Sequence, residues 1–214
     1  MPKLFVITGA NGAGKSTLSS TLLPPELADL TVFDGDKYFV ERLSEIFPTQ
    51  NKSPKYAREM AFEATVKAFE NLADNCISEN KSFAYEGHFS SEAPWQTIQR
   101  FRENKYQIIM VFLMVNDLSI SQKRVIERVK TGGHYVTPRE IEKNYFGNLI
   151  QLNLHLNLLD ELIVIDNSRA LEPSQITYIA DKKCLQSSEI LPYWLIQYLP
   201  NLRKLIEGFN DLEP

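Results

Sequence analysis

The chain has 214 residues, of which 43% are hydrophobic and 23% are charged, proportions that exclude a disordered chain and fit one compact domain with its own core. A formal net charge of −4 and an isoelectric point near 5.5 give the protein no overall basic character. We therefore expect neither nucleic acid nor an anionic membrane as a partner.

The cysteines and the start of the chain bear on where the protein works. Cys76 and Cys184 are far apart and form no C-x-x-C pair, so we expect two ordinary core thiols rather than a disulfide framework or a zinc site. The sequence passes from Met1-Pro2-Lys3 directly into an apolar strand, which leaves no room for a signal peptide, and no apolar run approaches a membrane span. These features predict a cytoplasmic protein.

Short apolar runs alternate with helical patterns along the chain, which predicts a parallel sheet with helices on both faces. In chain order, the first half is predicted to contain a strand at 4–8, a helix from about 15 to the prolines at 24 and 25, a strand at 31–33, a helix from 54, a strand at 82–85 and a helix at 95–104. The second half is predicted to contain a strand at 107–115, helices from 118 to about 130 and from 138, a strand at 162–165, a further strand at 175–179 and a helix at 193–209 that is broken or bent at Pro200.

Three of these helices have an apolar face by their periodicity. The helix that begins at Ser53-Pro54 is expected to bury the stripe Phe62, Val66, Phe69, Ala73, Cys76 and Ile77. The helix from 118 is expected to turn inward Val125, Ile126 and Val129. The helix that begins with the capping box Thr137-Pro138-Arg139-Glu140 is expected to bury Ile141, Tyr145, Leu149, Leu152, Leu156 and Leu159. Its opposite face is expected to be in solvent, with Asn144, Asn148, Gln151 and His155.

A phosphate-binding motif follows the first strand. The pattern G-x-x-x-x-G-K-[ST] is satisfied and one threonine follows it, so the predicted nucleotide-binding residues are Gly9, Ala10, Asn11, Gly12, Ala13, Gly14, Lys15, Ser16 and Thr17. The glycines allow backbone conformations forbidden to other residues, so that successive N–H groups converge on phosphate oxygens at the head of the next helix. The alternative, a glycine-rich turn without a ligand, is disfavoured by the strand before it and the helix after it.

The two polar side chains of this loop have separate expected tasks. Lys15 is expected to reach the β- and γ-phosphates of ATP, and the Ser16 hydroxyl is expected to bind Mg²⁺. ATP is favoured over GTP because no N/T-K-x-D guanine-binding motif follows a later strand.

The motif and the alternation of elements together predict an α/β chain with a three-layer, kinase-like P-loop NTPase fold. The sheet is expected to be mainly parallel and five-stranded, with helices on both faces and a C-terminal extension. We assign residues 1–170 to the P-loop core, with a lid region at about 124–145, and residues 171–214 to an extension packed on that core.

Carboxylates follow two of the predicted strands, at the edge of the sheet where ligands of open α/β folds bind. Asp34 and Asp36 follow the second strand, and Glu86 follows the third. We assign Asp36 as the base that accepts the proton of an acceptor hydroxyl, and Glu86 as a group that orients the acceptor or holds magnesium through water. A helix cap or a loop salt bridge is the alternative for each, and more so for Asp34.

Cations are placed near the loop by a later helix. Arg124 and Arg128 stand four residues apart, hence on one helix face, next to the flexible Gly132-Gly133 pair. Because cations on a closing lid neutralise the charge of the transferred phosphoryl group, both arginines join Lys15 and Asp36 as predicted catalytic residues. The alternative is a solvated helix face without a role in the site.

On the acceptor side, the predicted substrate-binding residues are Glu86, His88, His134 and Lys143. The three histidines of the chain share no metal-ligand spacing, so no zinc site is expected.

Three motifs occur in a characteristic order: the P-loop, residues 124–134 with the pattern R-V-x-x-R-V-x-x-G-G-H, and Asp166-Asn167-Ser168 after the last core strand. In these motifs the sequence resembles the zeta toxin family, specifically its branch of bacterial predicted ATPases of unknown acceptor. The resemblance covers roughly residues 3–168.

The resemblance implies a kinase-like P-loop fold that uses ATP and Mg²⁺. It also implies an aspartate base after the second strand, here Asp36, and an acidic residue at the acceptor after the third strand, here Glu86. In founding members of the family the acceptor is UDP-N-acetylglucosamine, so the implied partners are a small-molecule acceptor of this kind and an antitoxin-like protein.

This chain departs from the family pattern at two places. Family members usually place proline directly after G-G-H-x-V, where this chain has Thr137, with Pro138 one position later. The arginine cluster that follows in the branch is Glu142-Lys143-Asn144 here, which leaves Lys143 as its only cation.

Three functional hypotheses follow. The first is transfer of the γ-phosphoryl group of ATP to a small-molecule hydroxyl. The second, favoured by the altered arginine cluster, is an ATP-binding switch or toxin–antitoxin module that hydrolyses ATP weakly and acts through a protein partner. The third, a DNA-associated ATPase, lacks a basic patch and ranks last.

Overall fold

One sheet runs through the molecule in this computed structural model, which describes residues 1–50, 52–130, 135–169 and 172–210. Within those residues its strands are β1 (Lys3–Gly9), β2 (Phe33–Asp34), β3 (Phe83–Glu86), β4 (Gln107–Met114), β5 (Glu161–Asp166), β6 (Ser174–Ala180) and β7 (Lys183–Ser187). Their order across the sheet is β2-β3-β1-β4-β5-β6-β7. The first five strands pair in parallel, and β6 and β7 are antiparallel additions.

Helices connect and cover these strands. They are α1 (Lys15–Leu22), α2 (Gly35–Ile46), α3 (Pro54–Ser78), α4 (Ala93–Glu103), α5 (Leu118–Lys130), α6 (Pro138–His155), α7 (Tyr193–Tyr198) and α8 (Pro200–Asn210). Each of the strands β1 to β4 is followed by at least one helix that leads to the next parallel strand, which is the α/β arrangement predicted from the alternation of patterns. No helix in the described part of the chain is both long and apolar enough to cross a membrane.

The predicted α/β class is confirmed, but the predicted five strands are too few, since the described residues contain seven. β6 extends the sheet where residues 175–179 indicate a further strand. β7 has no apolar run to signal it, because only Cys184 among its five residues is buried at the edge of the sheet. The division into a core of residues 1–170 and an extension stays a prediction.

The centre of the core is formed by β1 and β4. Residues Leu4 to Gly9 and Ile108 to Met114 are all buried, so these strands are covered on both faces as the continuous apolar runs predict. Burial of each large aliphatic or aromatic side chain contributes about 1.5–3 kcal/mol to the free energy of folding. The loop that follows β1 therefore begins from a rigid, well-packed part of the sheet.

The predicted apolar stripe of α3 is wrong in its first half. Phe62 and Val66 are 63% and 44% exposed, whereas Ala73 is fully buried and Phe69 packs against Phe83 and Tyr85. At about 1.5 Å per residue, a helix of 25 residues is far longer than the four-residue strand it leads into. Its N-terminal half therefore leaves the sheet and packs on α2 through Ala57 and Ala61 in a small separate cluster.

Two further sequence predictions about helix faces are corrected. Ile126 on α5 is 56% exposed, although its neighbour Val125 is buried as predicted. On α6 the face expected in solvent is packed: Asn148 is fully buried, and His155 stacks on Trp95 with ring centroids 4.5 Å apart. The polar residues of α6 face the loop after β3, which supplies hydrogen-bonding partners that periodicity alone does not reveal.

Candidate active site

The loop between β1 and α1 has a backbone that glycine makes possible. Gly9, Gly12 and Gly14 have φ angles of 138°, 70° and 94°. A Cβ atom at Gly9 would lie 1.7 Å from the carbonyl oxygen of Leu113, and one at Gly14 would lie 2.5 Å from Nδ2 of Asn167. A side chain is excluded at both positions, because the conformation is unfavourable and the space is occupied.

Every carbonyl oxygen from Gly9 to Gly14 accepts a hydrogen bond from the protein. The donors are Lys15 and His88 to Gly9, Lys15 and Ala13 to Ala10, Ser121 to Asn11, Arg124 to Gly12, Asn167 to Ala13, and Thr17 and Leu18 to Gly14. Because these carbonyls are all engaged by the protein, the loop keeps one conformation at the N-terminus of α1. There, the backbone amides and the positive end of the helix dipole favour a bound anion.

Lys15 lies folded against this loop. Its Nζ atom donates to the carbonyl oxygens of Gly9 and Ala10, both at 3.2 Å. Burial lowers the pKa of Lys15 to about 8, and the carboxylates of Glu86 and Asp36 limit the decrease. The Lys15 ammonium is therefore desolvated while it donates to two carbonyl oxygens, and a phosphate group would provide further oxygen acceptors.

Two carboxylates meet the hydroxyl of Ser16. Its Oγ atom lies 2.7 Å from Oε1 of Glu86 and 3.3 Å from Oδ2 of Asp34. Burial, together with the nearby charge of Asp34, raises the pKa of Glu86 to about 7, and the hydrogen bond from Ser16 opposes this rise. The other oxygen of Asp34 caps α2 by accepting from the Lys37 amide at 2.9 Å, so this aspartate serves both as the expected cap and as a site residue.

This cluster fits a magnesium ion. Mg²⁺ prefers oxygen ligands and is commonly held by one or two carboxylates together with substrate phosphates and water. Ser16, Asp34 and Glu86 present a hydroxyl and two carboxylates at the head of α1, next to the phosphate-binding loop. Burial, and after it the nearby charge of Asp34, raise the pKa of Glu86, and a divalent cation would favour the ionised carboxylate against both. The described residues hold no cluster of three or more histidine, cysteine or acidic ligands, as a zinc site would need.

These groups line one cleft of about 600 Å³. Of the predicted site residues, it brings together Asn11, Gly12, Gly14, Lys15, Ser16, Thr17, Asp36, Glu86, His88, Arg124 and Arg128. Asp36 is exposed in the first turn of α2, and Arg128 is exposed on α5. Both acidic and basic groups therefore surround the space in front of the loop.

The two arginines of α5 occupy different places. The Arg124 guanidinium donates to the carbonyl oxygens of Gly12, Asn167 and Ser168 at 3.2, 2.8 and 3.1 Å. It thus ties the phosphate-binding loop to the segment after β5. Arg128, one turn further on, is exposed and lines the cleft.

The residues predicted to bind the acceptor are only partly brought together. Glu86 and His88 line the cleft, but both nitrogens of His88 are hydrogen bonded within the protein, to Asn11 and to the carbonyl of Gly9. Burial lowers the pKa of His88 well below its usual value, so the ring is neutral. Lys143 is exposed on α6 and is not among the residues that line the cleft. His134 and the Gly132-Gly133 pair lie outside the described residues.

Three residues that support the loop were not predicted as site residues. Ser121, Asn144 and Asn167 bond Asn11 and Ala13 through sequence separations of 110, 133 and 154 residues. Asn167 belongs to the D-N-S motif, and the sequence placed that motif directly after the last core strand. The sequence marks Asn144 only as part of the face expected in solvent and of the segment that departs from the family pattern, and Ser121 gave no signal, because nothing in the local pattern distinguishes it from other polar residues on a helix.

Comparisons with known proteins agree with this geometry. A family model described as Zeta toxin matches residues 1–187. An uncharacterized protein of Haemophilus influenzae is 26% identical over 143 residues, which cover 67% of this chain and 92% of that protein.

Among solved structures, one from the PezAT chromosomal toxin–antitoxin system of Streptococcus pneumoniae has a TM-score of 0.65 at 18% identity, covering 97% of this chain and 87% of that chain. The native complex AvrRxo1-ORF1:-ORF2 gives a TM-score of 0.65 at 13% identity and covers 100% of this chain and 72% of that chain. The same complex solved with ATP gives 0.60 at 12% identity and covers 100% of this chain and 65% of that chain. At these identities the structures show a shared fold.

Proposed function

The chain belongs to the Zeta toxin family, and from this we propose that it is an ATP-dependent kinase that transfers the γ-phosphoryl group to a hydroxyl of a small molecule. One observation carries the proposal. The anion-binding loop lines one cleft together with Lys15, Ser16, Glu86 and Asp36, and Asp34 contacts the Ser16 hydroxyl at 3.3 Å.

The phosphate-binding loop would hold the terminal phosphates of ATP. Its backbone amides and the dipole of α1 favour negative charge at this point, and Lys15 adds a desolvated cation. On phosphate binding, the Lys15 ammonium exchanges loop carbonyls for phosphate oxygens, which accept charge-assisted hydrogen bonds of greater strength. Solved neighbours of the same fold include a complex with ATP, which supports this ligand.

Ser16, Asp34 and Glu86 are the residues that would hold Mg²⁺, directly or through water. A bound ion would supply neutralisation of phosphate charge there. Burial of Glu86 keeps its carboxylate in a fixed orientation toward Ser16, so the cluster is preorganised before the nucleotide arrives.

Asp36 is proposed as the base. It lies in the first turn of α2 and lines the cleft. The acceptor hydroxyl gives its proton to the Asp36 carboxylate as its oxygen bonds to the γ-phosphorus. The bond from that phosphorus to the bridging oxygen of ADP breaks, and ADP leaves.

Arg128 would neutralise the charge that develops on the transferred group, because it lines the same cleft as Lys15 and Asp36. Arg124 contributes by holding the loop through its three carbonyl contacts. The lid region at about 124–145, with His134 and Lys143 on the acceptor side, remains part of this proposal. So does the cytoplasmic location predicted from the sequence.

A nucleotide sugar such as UDP-N-acetylglucosamine is the proposed acceptor class. The family resemblance implies it, and the cleft of about 600 Å³ lies within the usual range for small-molecule sites. An assay of ADP formation against a panel of nucleotide sugars and nucleosides would identify the acceptor.

The role of Asp36 is tested by Asp36→Asn, which we expect to lower kcat by about 100-fold or more with little change in the affinity for MgATP. Asp29→Asn is the matched control, since Asp29 is an exposed aspartate that does not line the cleft. If Asp36→Asn turns over as fast as the control, Asp36 is not the base.

The second hypothesis is an ATP-binding switch or toxin–antitoxin module with weak ATPase activity that acts through a protein partner. A specific observation favours it. The segment that replaces the arginine cluster of the family branch supplies no cation to the cleft, because Lys143 does not line it and the Asn144 amide is hydrogen bonded to Asn11. Structural neighbours come from a toxin–antitoxin system and from a two-protein complex, which supports an antitoxin-like partner. Tight MgATP binding without acceptor-stimulated ADP formation, together with co-purification of a small protein, would decide for this hypothesis.

A further inference from the structure

A chain of four hydrogen bonds links the loop after β3 to the phosphate-binding loop through α6. Ser90 Oγ donates to Oδ1 of Asn144 at 2.9 Å, and Nδ2 of Asn144 donates to Oδ1 of Asn11 at 3.0 Å. Nδ2 of Asn11 then contacts Nε2 of His88 at 3.1 Å, and Nδ1 of His88 contacts the Gly9 carbonyl oxygen at 3.1 Å. All four bonds point in the same direction, from Ser90 to Gly9.

The direction of this chain is fixed at its end. A carbonyl oxygen only accepts, so Nδ1 of His88 carries the proton and Nε2 of the neutral ring accepts from Asn11. Asn11 therefore presents its carbonyl oxygen to Asn144, whose own oxygen is left for Ser90. Bonds aligned in this way polarise one another, and the loss of one member leaves the others without a partner.

A second contact of α6 brings the same segments together. Asn148, one turn after Asn144 and fully buried, accepts from Oγ1 of Thr8 at 3.0 Å and from the amide of Phe89 at 2.8 Å. Between the two asparagines, a Cβ atom at Gly147 would lie 2.7 Å from Cβ and from the carbonyl oxygen of Ser90. The residues at 144, 147 and 148 thus form the surface of α6 against which the loop after β3 packs.

We propose that Asn144 is a positioning residue that sets the phosphate-binding loop against the loop after β3, which continues directly from Glu86. Asn144 is the member of the chain that bonds to both loops, at Asn11 and at Ser90. For its effect on ATP, this inference rests on the proposed function.

Asn144→Ala tests the positioning in the free protein by amide hydrogen exchange. We expect the amides of Ala10 and Ala13, which are hydrogen bonded in the loop, to exchange about tenfold faster, since one lost hydrogen bond is worth roughly that factor. Asn153→Ala is the matched control on the same helix, because Oδ1 of Asn153 accepts from the Asn201 amide at 2.8 Å, at the other end of α6. Equal exchange of the loop in the two variants would overturn the proposal.

The same variants separate this inference from the proposed function by calorimetric titration with MgATP. Asn144→Ala is expected to raise the Kd for MgATP about tenfold relative to Asn153→Ala. If the wild-type protein takes up no MgATP, the proposed function fails, and the exchange result still decides the positioning role. If both variants bind MgATP equally, Asn144 does not position the loop for the nucleotide.

A second variant covers the case in which Asn144→Ala does not fold. Asn144→Asp keeps the oxygen that accepts from Ser90 and removes the donor to Asn11, so it breaks the chain at one bond while preserving shape. Faster exchange in the phosphate-binding loop is expected again, and unchanged exchange would contradict the proposal.

Discussion

The carbonyl oxygens of residues 9–14 show how single residues shape the site. Each of them accepts a hydrogen bond, and the donors come from α1, α5, the loop after β3 and the segment after β5. Several are side chains distant in sequence, so a change at Ser121, Arg124 or Asn167 is expected to alter the conformation of the loop. The glycine motif makes this conformation accessible, and the distant side chains select it.

Lys15 gives the site a pH dependence of known sign. Its pKa is lowered to about 8, so the ammonium is charged below that pH and is lost as the pH rises through it. Bound phosphate raises this pKa again, so MgATP binding at about pH 8.5 is expected to take up a proton, and the Kd is expected to rise up to about tenfold per pH unit above 8. Calorimetry in two buffers with different heats of ionisation measures this uptake.

Lys15→Arg is the control for that measurement, because a guanidinium stays charged throughout this range and binding then takes up no proton at this position. A wild-type protein whose binding heat is the same in both buffers would show that Lys15 does not ionise on binding.

Among the elements, α3 shows how one helix serves two packing partners. Its C-terminal half lies on the sheet, with Phe69 in contact with Phe33, Phe83 and Tyr85, while its N-terminal half packs on α2. Periodicity correctly predicts a helix here but assigns one buried face along its whole length. The change of partner is not visible in the sequence, because alanines at 57 and 61 carry no strong apolar signal.

Replacing a phenylalanine by alanine in each half of α3 tests whether the two halves pack differently. Phe69→Ala is expected to lower the free energy of unfolding by about 3 kcal/mol, because it opens a cavity among three aromatic rings. Phe62→Ala is expected to change it by less than about 0.5 kcal/mol, since that ring is 63% exposed. Urea denaturation measures both, and equal losses would show that Phe62 is buried in the working protein.

At the scale of the whole molecule, the C-terminal segment completes the core. Seven large apolar residues of this segment are buried in the same hydrophobic cluster as β1 and β4, namely Ile176, Ile179, Trp194, Leu195, Leu199, Leu202 and Ile206. Nε1 of Trp194 also donates to Oδ2 of Asp166 at 3.1 Å, next to the Asn167 that holds the phosphate-binding loop. The segment after residue 171 therefore helps to hold the residues after β5 that contact the phosphate-binding loop.

A chain that ends at residue 170 is accordingly expected not to fold. Removing the burial of seven large apolar side chains costs roughly 10–20 kcal/mol, at about 1.5–3 kcal/mol each, which exceeds the usual stability of a domain of 5–15 kcal/mol. Circular dichroism and gel filtration check this expectation. A cooperative thermal transition in the truncated chain would instead support an independent core of residues 1–170.

The sequence by itself determined the features that depend on neighbours along the chain. These are the glycine-rich loop between a buried strand and a helix, the capping box at Thr137, and the order of strands and helices through β5 apart from α2, which no sequence pattern predicted. Backbone restrictions, caps and hydrophobic periodicity act over a few residues, so a linear pattern records them.

Only the tertiary structure decided which distant polar groups meet. It placed Asp34 beside Ser16, turned the asparagines of α6 toward the loops, occupied both nitrogens of His88 and left Lys143 outside the cleft. These outcomes depend on which faces of the elements come together, and that is set by the packing of the whole core. A polar side chain carries the same local signal whether it faces solvent or a partner more than 100 residues away, as Asn144 and Asn11 show across 133 residues.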